Sequence, residues 1–263
     1  MVVGIEKDEK GRKFMRSDTG EKVFVDYKDN LLVAPGDPVI ARQARHWRYN
    51  TGSAKGLSFL GSENSEDALA WNVFKTLEKS SLASWFTEIF PQIILEKDEQ
   101  FMDPMLRFWD KYFPPPLRPF PEGETHIDLT VETSSKLIFI EAKYNTDIDK
   151  NTKHDPKRDQ IIRNIDVGSW AAKKRAKTFY FILLTLKTNT YTSDRFNYYQ
   201  SNPSNIIQAI GDYRKDIKDY AAICENIHLI YWDQVLTSLK NMQVTNKAES
   251  DLTLLIDYLD DKL

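Results

Sequence analysis

Leu69, Val73 and Leu77 recur at helical spacing behind Ser65, a side chain suited to capping a helix N-terminus, so residues 66–79 are expected to form a helix. The apolar, β-branched stretch Pro91-Gln92-Ile93-Ile94-Leu95-Glu96 reads as a strand. Asp103-Pro104, Pro114-Pro115-Pro116, Pro119 and Pro121 come next. Proline fixes φ and lacks an N–H, so this part reads as a long connecting loop. Two stretches, 126–132 with apolar alternation and 136–143 with the apolar run Leu137 to Ile140, read as strands, and Ile161, Ile162, Ile165 and Trp170 mark a helix over about 158–177. The unbroken apolar run 178–186 has the character of a strand buried on both faces, as in parallel pairing. A helix near 203–220, a strand at 227–232 and one or two terminal helices extend the pattern.

The resulting order, helix, strand, strand, strand, helix, strand, defines an α/β protein with a mixed central sheet flanked by helices. Residues 1–60 differ from the rest. They are polar, with turn signals at Lys10-Gly11, Thr19-Gly20, Pro35-Gly36 and Thr51-Gly52 and short alternating pieces such as Val23-Phe24-Val25. The expected organisation is a small β-rich region at 1–60, a main domain at 61–240 and a C-terminal helix at 241–263.

Apolar residues make up 41% and charged residues 29% of the 263, the balance of a folded globular chain. The net charge is -3 and the pI about 5.9, so any contact with nucleic acid has to be local. One local candidate is the cluster Arg42, Arg45, His46, Arg48 and Lys55 around Trp47 and Tyr49, which can bind phosphate and stack on bases. The same composition also describes a solvated face around one buried Trp. A single cysteine, Cys224, excludes an internal disulfide and fits a small buried apolar filler in a reducing compartment. The longest apolar run is too short to span a bilayer and the N-terminus has no apolar signal-like segment, so a cytoplasmic protein without a membrane partner is expected.

An acidic residue two before a lysine occurs six times, at Asp8, Asp26, Glu141, Asp155, Asp216 and Asp260, and only Glu141-Ala142-Lys143 ends an apolar strand. Leu137, Phe139, Glu141 and Lys143 then share one face of it. In the preceding strand, Asp128 is polar within another apolar alternation. A hairpin turning symmetrically about Ser134 and Ser135, with Thr133 opposite Lys136, sets Asp128 opposite Glu141. Like charges so placed, with Cβ atoms roughly 5 Å apart, are destabilising unless a cation lies between them. Two carboxylates with main-chain and water oxygens suit Mg²⁺ or Mn²⁺, and Lys143 beside them can offset phosphate charge and help transfer a proton. That combination is a device for phosphodiester hydrolysis. The structural alternative is a cross-strand salt bridge from Lys143 to Asp128 or Glu141 with no catalytic role.

With Ile127-Asp128 and Glu141-Ala142-Lys143 as two signature strands, the chain resembles the PD-(D/E)XK nuclease-like (restriction-endonuclease-like) superfamily. Residues 121–128 and 159–168 look like a bacterial branch of it. Ile127 stands where the family's name has proline. The resemblance spans about residues 62–186 and implies an αβββαβ core and a metal held by Asp128, Glu141, the Ala142 carbonyl and Glu66 of the first core helix. Glu63 is the alternative to Glu66, whose position also suits a carboxylate at a helix N-terminus. It further implies that Gln160 positions the lysine or a phosphate, with Arg163 one turn later either reaching substrate or solvated. His126 lies on the face of Asp128, lining the site or serving as a structural histidine. The expected activity is metal-dependent cleavage of nucleic acid, DNA before RNA, in defence, restriction or repair. A homodimer or an activating partner fits such an enzyme. The alternative is an inactive member that binds nucleic acid or serves as an assembly module.

Overall fold

The computed structural model describes residues 4–80, 82, 85–95, 104–116, 118, 121–151, 158–245 and 250–263. The chain divides into two compact units, residues 1–81 with 248–262, and residues 82–247. The first is wider than a 1–60 appendage. It contains a three-stranded antiparallel meander, β1 (Glu6–Lys7), β2 (Lys13–Arg16) and β3 (Lys22–Phe24), then α1 (Pro38–His46), α2 (Glu66–Lys79) and the distant α9 (Ser250–Asp260). Helix α2 starts where its cap predicts, the Ser65 hydroxyl accepting from the Ala68 N–H at 3.1 Å.

The second unit opens with the short α3 (Trp85–Ile89) and is built on a five-stranded mixed sheet flanked by helices, in the order β4 (Met105–Tyr112), β5 (Thr125–Glu132), β6 (Lys136–Ala142), β7 (Thr178–Thr185) and β8 (Ile227–Tyr231). β4, β5 and β6 run antiparallel, whereas β7 and β8 join in parallel. The β5–β6 register is the expected one: Leu129 pairs with Ile140, Thr130 with Phe139, Val131 with Ile138 and Glu132 with Leu137. The Thr133 N–H closes the turn onto the Lys136 carbonyl at 3.0 Å.

Three expectations fail. The strand at 91–96 is absent: residues 91–93 turn, with the Ile93 N–H bonded to the Phe90 carbonyl, and Glu96 lies outside the described residues. The first strand of the sheet is instead β4, inside the stretch read as a loop. Pro104 and Pro114 stand just beyond its ends, where a missing N–H breaks no ladder. Finally, the helix near 203–220 is two, α6 (Pro203–Ile210) and α7 (Tyr220–Glu225), preceded by an unforeseen α5 (Thr190–Ser201). Pro203 and the Asn202 cap start α6, and Gly211 ends it. The terminal helix boundary also shifts, because α8 (Trp232–Thr245) runs across residue 241.

The helix that crosses from β6 to β7 is α4 (Gln160–Lys174), started by the Asp159 carboxylate accepting from the Ile162 N–H at 2.9 Å. Its Ile161, Ile162 and Ile165 pack with Leu137, Phe139, Phe179 and Phe181, all buried. This packing covers the sheet face to which Glu141 also belongs. Asp166, fully buried in α4, accepts from Arg158 at 2.9 Å, Arg214 at 2.6 Å and the Tyr213 hydroxyl at 2.9 Å. This charged network ties the segment before α4 to the turn after α6. Buried Cys224 donates through Sγ to the Tyr199 carbonyl, in keeping with a filler role.

Candidate active site

The β5–β6 ladder stops after Leu129 and Ile140, although β5 extends back to Thr125 and β6 on to Ala142. Asp128 fills the opening. Its Oδ2 accepts from the Ala142 N–H at 2.9 Å, replacing a main-chain partner. The pairing along the other edge of β5 is interrupted as well, because β4 pairs Phe108 with Leu129 and Asp110 with Ile127 but skips Trp109, whose φ is 51°. A bulky residue in the left-handed region costs about 1–3 kcal/mol, and such strain gathers at functional sites. Asp128 thus stands where the backbone pairing is relaxed on both sides.

Glu141 is 2% exposed and needs partners to remain there. The Lys143 Nζ lies 3.2 Å from its Oε1, the same oxygen accepts from Gln160 Nε2 at 2.5 Å, and Oε2 accepts from Asn164 Nδ2 at 2.8 Å. Gln160 and Asn164 are one turn apart on α4, so the helix presents two amides to one carboxylate. Gln160 is itself pinned, its Oε1 accepting from the Asp149 N–H at 3.3 Å and its own N–H donating to the Asp149 carbonyl at 3.0 Å. Lys143 is fixed through its main chain: its N–H donates to the Leu184 carbonyl at 2.7 Å, and its carbonyl accepts from the Trp232 indole at 2.9 Å. Since the Ala142 N–H points toward β5, the Ala142 carbonyl is turned to the same side of the strand.

The second unit therefore brings together Asp128, Glu141, Ala142, Lys143 and Gln160. Gln160 holds the glutamate, where the resemblance had it serving the lysine or a phosphate. Arg163 donates to the Glu124 carbonyl at 2.9 Å; burial and neighbouring Arg158 lower its pKa, opposed by the Glu141 and Asp149 charges. His126 Nε2 lies 3.4 Å from Glu124 Oε1, and Lys111 shares that carboxylate. The Lys111 and His126 hydrogen bonds hold Glu124 below the usual carboxylate range. Asn164 is the residue sequence reasoning missed; the available signal was an amide among the isoleucines of α4, one turn after Gln160.

Glu66 stands in the first unit, half-buried in the first turn of α2. Glu63, just outside that helix, accepts from the Lys22 N–H at 2.6 Å. Arg42, Arg45 and Arg48 are exposed, and Trp47, expected to be buried if this face were merely solvated, is 47% exposed beside His46. Among the described residues, no three His, Cys, Asp or Glu side chains are grouped to share a metal ion, and no helix is long and apolar enough to cross a membrane. Comparison with protein families, curated proteins and solved structures gives no significant match.

Proposed function

We propose that this protein is a metal-dependent phosphodiesterase of the PD-(D/E)XK type, with a restriction-endonuclease-like αβββαβ core, that cleaves nucleic acid, DNA in preference to RNA. The observation that carries this reading is the opening of the β5–β6 ladder at Asp128, beside a buried Glu141 paired with Lys143. The donor set suits Mg²⁺ or Mn²⁺: two carboxylates from adjoining strands and the Ala142 carbonyl are hard oxygens, and both ions keep several waters, so a third acid is not required. When bound there, such an ion would acidify a water and polarise the phosphoryl oxygen. Asp128, Glu141 and the Ala142 carbonyl would hold the ion. Gln160 and Asn164 keep the Glu141 carboxylate oriented. Lys143, released from Glu141, would neutralise phosphate charge and move a proton at its Nζ. DNA is favoured because the family resembled chiefly cuts DNA, a fold-level analogy.

One observation favours a second reading. Both Glu141 oxygens already accept from amide and ammonium groups, which is what an inactive member with a structural ion pair would show. Cleavage of linear, circular and single-stranded DNA and of RNA, by wild type and by Lys143→Ala with Mg²⁺, Mn²⁺ or EDTA, separates the two. Metal-dependent cleavage that falls at least about a hundredfold in a folded Lys143→Ala protein supports the enzyme. An inert wild type supports the binding or assembly reading, and equal cleavage by both proteins rules out Lys143 as the catalytic ammonium.

A further inference from the structure

Among the described residues, β8 is the edge of the five-stranded sheet, bonded to β7 on one side only. On its outer side, the Ile227 carbonyl accepts from Gln200 Nε2 at 2.6 Å, and the Tyr231 N–H donates to Gln234 Oε1 at 2.8 Å. Main-chain groups two residues apart along a strand point the same way, so Leu229, midway between these two, turns its N–H and C=O outward together. It faces a cleft of about 510 Å³ that Gln92, Gln200, His228, Gln234 and Thr237 help to line. That volume falls within the range of roughly 300–1,000 Å³ common for small-molecule sites.

The lining decides the ligand class. Its side chains are apolar, amide, hydroxyl or imidazole, and burial holds His228 toward its neutral form. A phosphate or carboxylate would meet no opposite charge there. Gln200 and Gln234 already satisfy the strand on both sides, so the open edge is one residue long, too short a template for an added β-strand. A single residue with N–H and C=O side by side instead matches one two-point partner that carries the complementary pair.

We propose that this cleft binds a neutral planar ligand with N–H beside C=O on one edge, a pyrimidine-like base or lactam, through the Leu229 main chain. The site is separate from the Asp128–Glu141–Lys143 cluster and does not depend on its activity. Uracil and 1,3-dimethyluracil, the latter lacking both N–H donors, are the probes. In amide NMR titrations, uracil is expected to shift the Leu229 N–H saturably, and dimethyluracil to bind at least about tenfold more weakly. Thr237→Trp, at an exposed helix position, fills the cleft and should abolish the uracil response while leaving the remaining spectrum folded. No saturable shift at Leu229, equal binding of the methylated compound, or retained binding in a folded Thr237→Trp protein each overturns the proposal.

Discussion

A carboxylate 2% exposed near the end of an apolar strand would ordinarily be a defect, since desolvating a charge costs several kcal/mol. Glu141 is stable there because three donors converge on it, and the lysine alone would not suffice: Lys143 leaves Oε2 to Asn164. Asn164→Ala is therefore expected to cost about 1–3 kcal/mol in urea unfolding, by stranding part of a buried charge. A double-mutant cycle with Glu141→Gln should return a coupling of at least about 1 kcal/mol, because the two side chains act on one another. Additive losses would mean that Asn164 matters only as buried volume. Trp109 belongs to the same neighbourhood: its positive φ breaks the pairing opposite Asp128, so backbone strain is spent where the carboxylate has to leave the ladder.

At the level of elements, the hairpin was legible and its surroundings were less so, for physical reasons. β6 is buried along its whole length, so its apolar run alone leaves the register open; the two-residue turn that sets Thr133 opposite Lys136 selects it, and that register places Asp128 by Glu141. β4 escaped because Phe108 and Trp109 are adjacent and both buried, which breaks the period-two signal, while flanking prolines imitate a loop. Ile93 and Ile94 misled in the opposite sense: the chain turns there, the Ile93 N–H bonding the Phe90 carbonyl at 3.0 Å, so β-branching reflected composition and not pairing. Asn164 was hidden because sequence spacing shows which helix face an amide occupies but not which charge lies beneath it. The close approach of α4 to the sheet depends on Gly168, where an added Cβ would come within 2.0 Å of the Phe179 ring and 2.9 Å of Phe139. Alanine favours helices over glycine by roughly 0.8–1.0 kcal/mol, yet Gly168→Ala is expected to lose about 1–3 kcal/mol through overpacking. A raised unfolding midpoint would show that helix propensity outweighs the clash and that α4 is free to shift.

For the whole chain, a reading that assigned contiguous blocks could not see that the first unit is discontinuous. Helix α9 closes that unit with Leu252, Leu255, Ile256 and Leu259, all buried, and packs against α2. Its apolar face was readable as a face, but amphipathicity does not say which surface it covers. Leu255 is 0% exposed, and Leu255→Ala should cost about 2–5 kcal/mol by leaving a cavity. If the two units unfold separately, that loss is confined to the first. Hydrogen exchange should then accelerate in β2, β3 and α2 while amides of β5, β6 and β7 keep wild-type protection. Faster exchange throughout the five-stranded sheet would show instead one cooperative unit, and would make residues 248–262 a determinant of the candidate active site's stability.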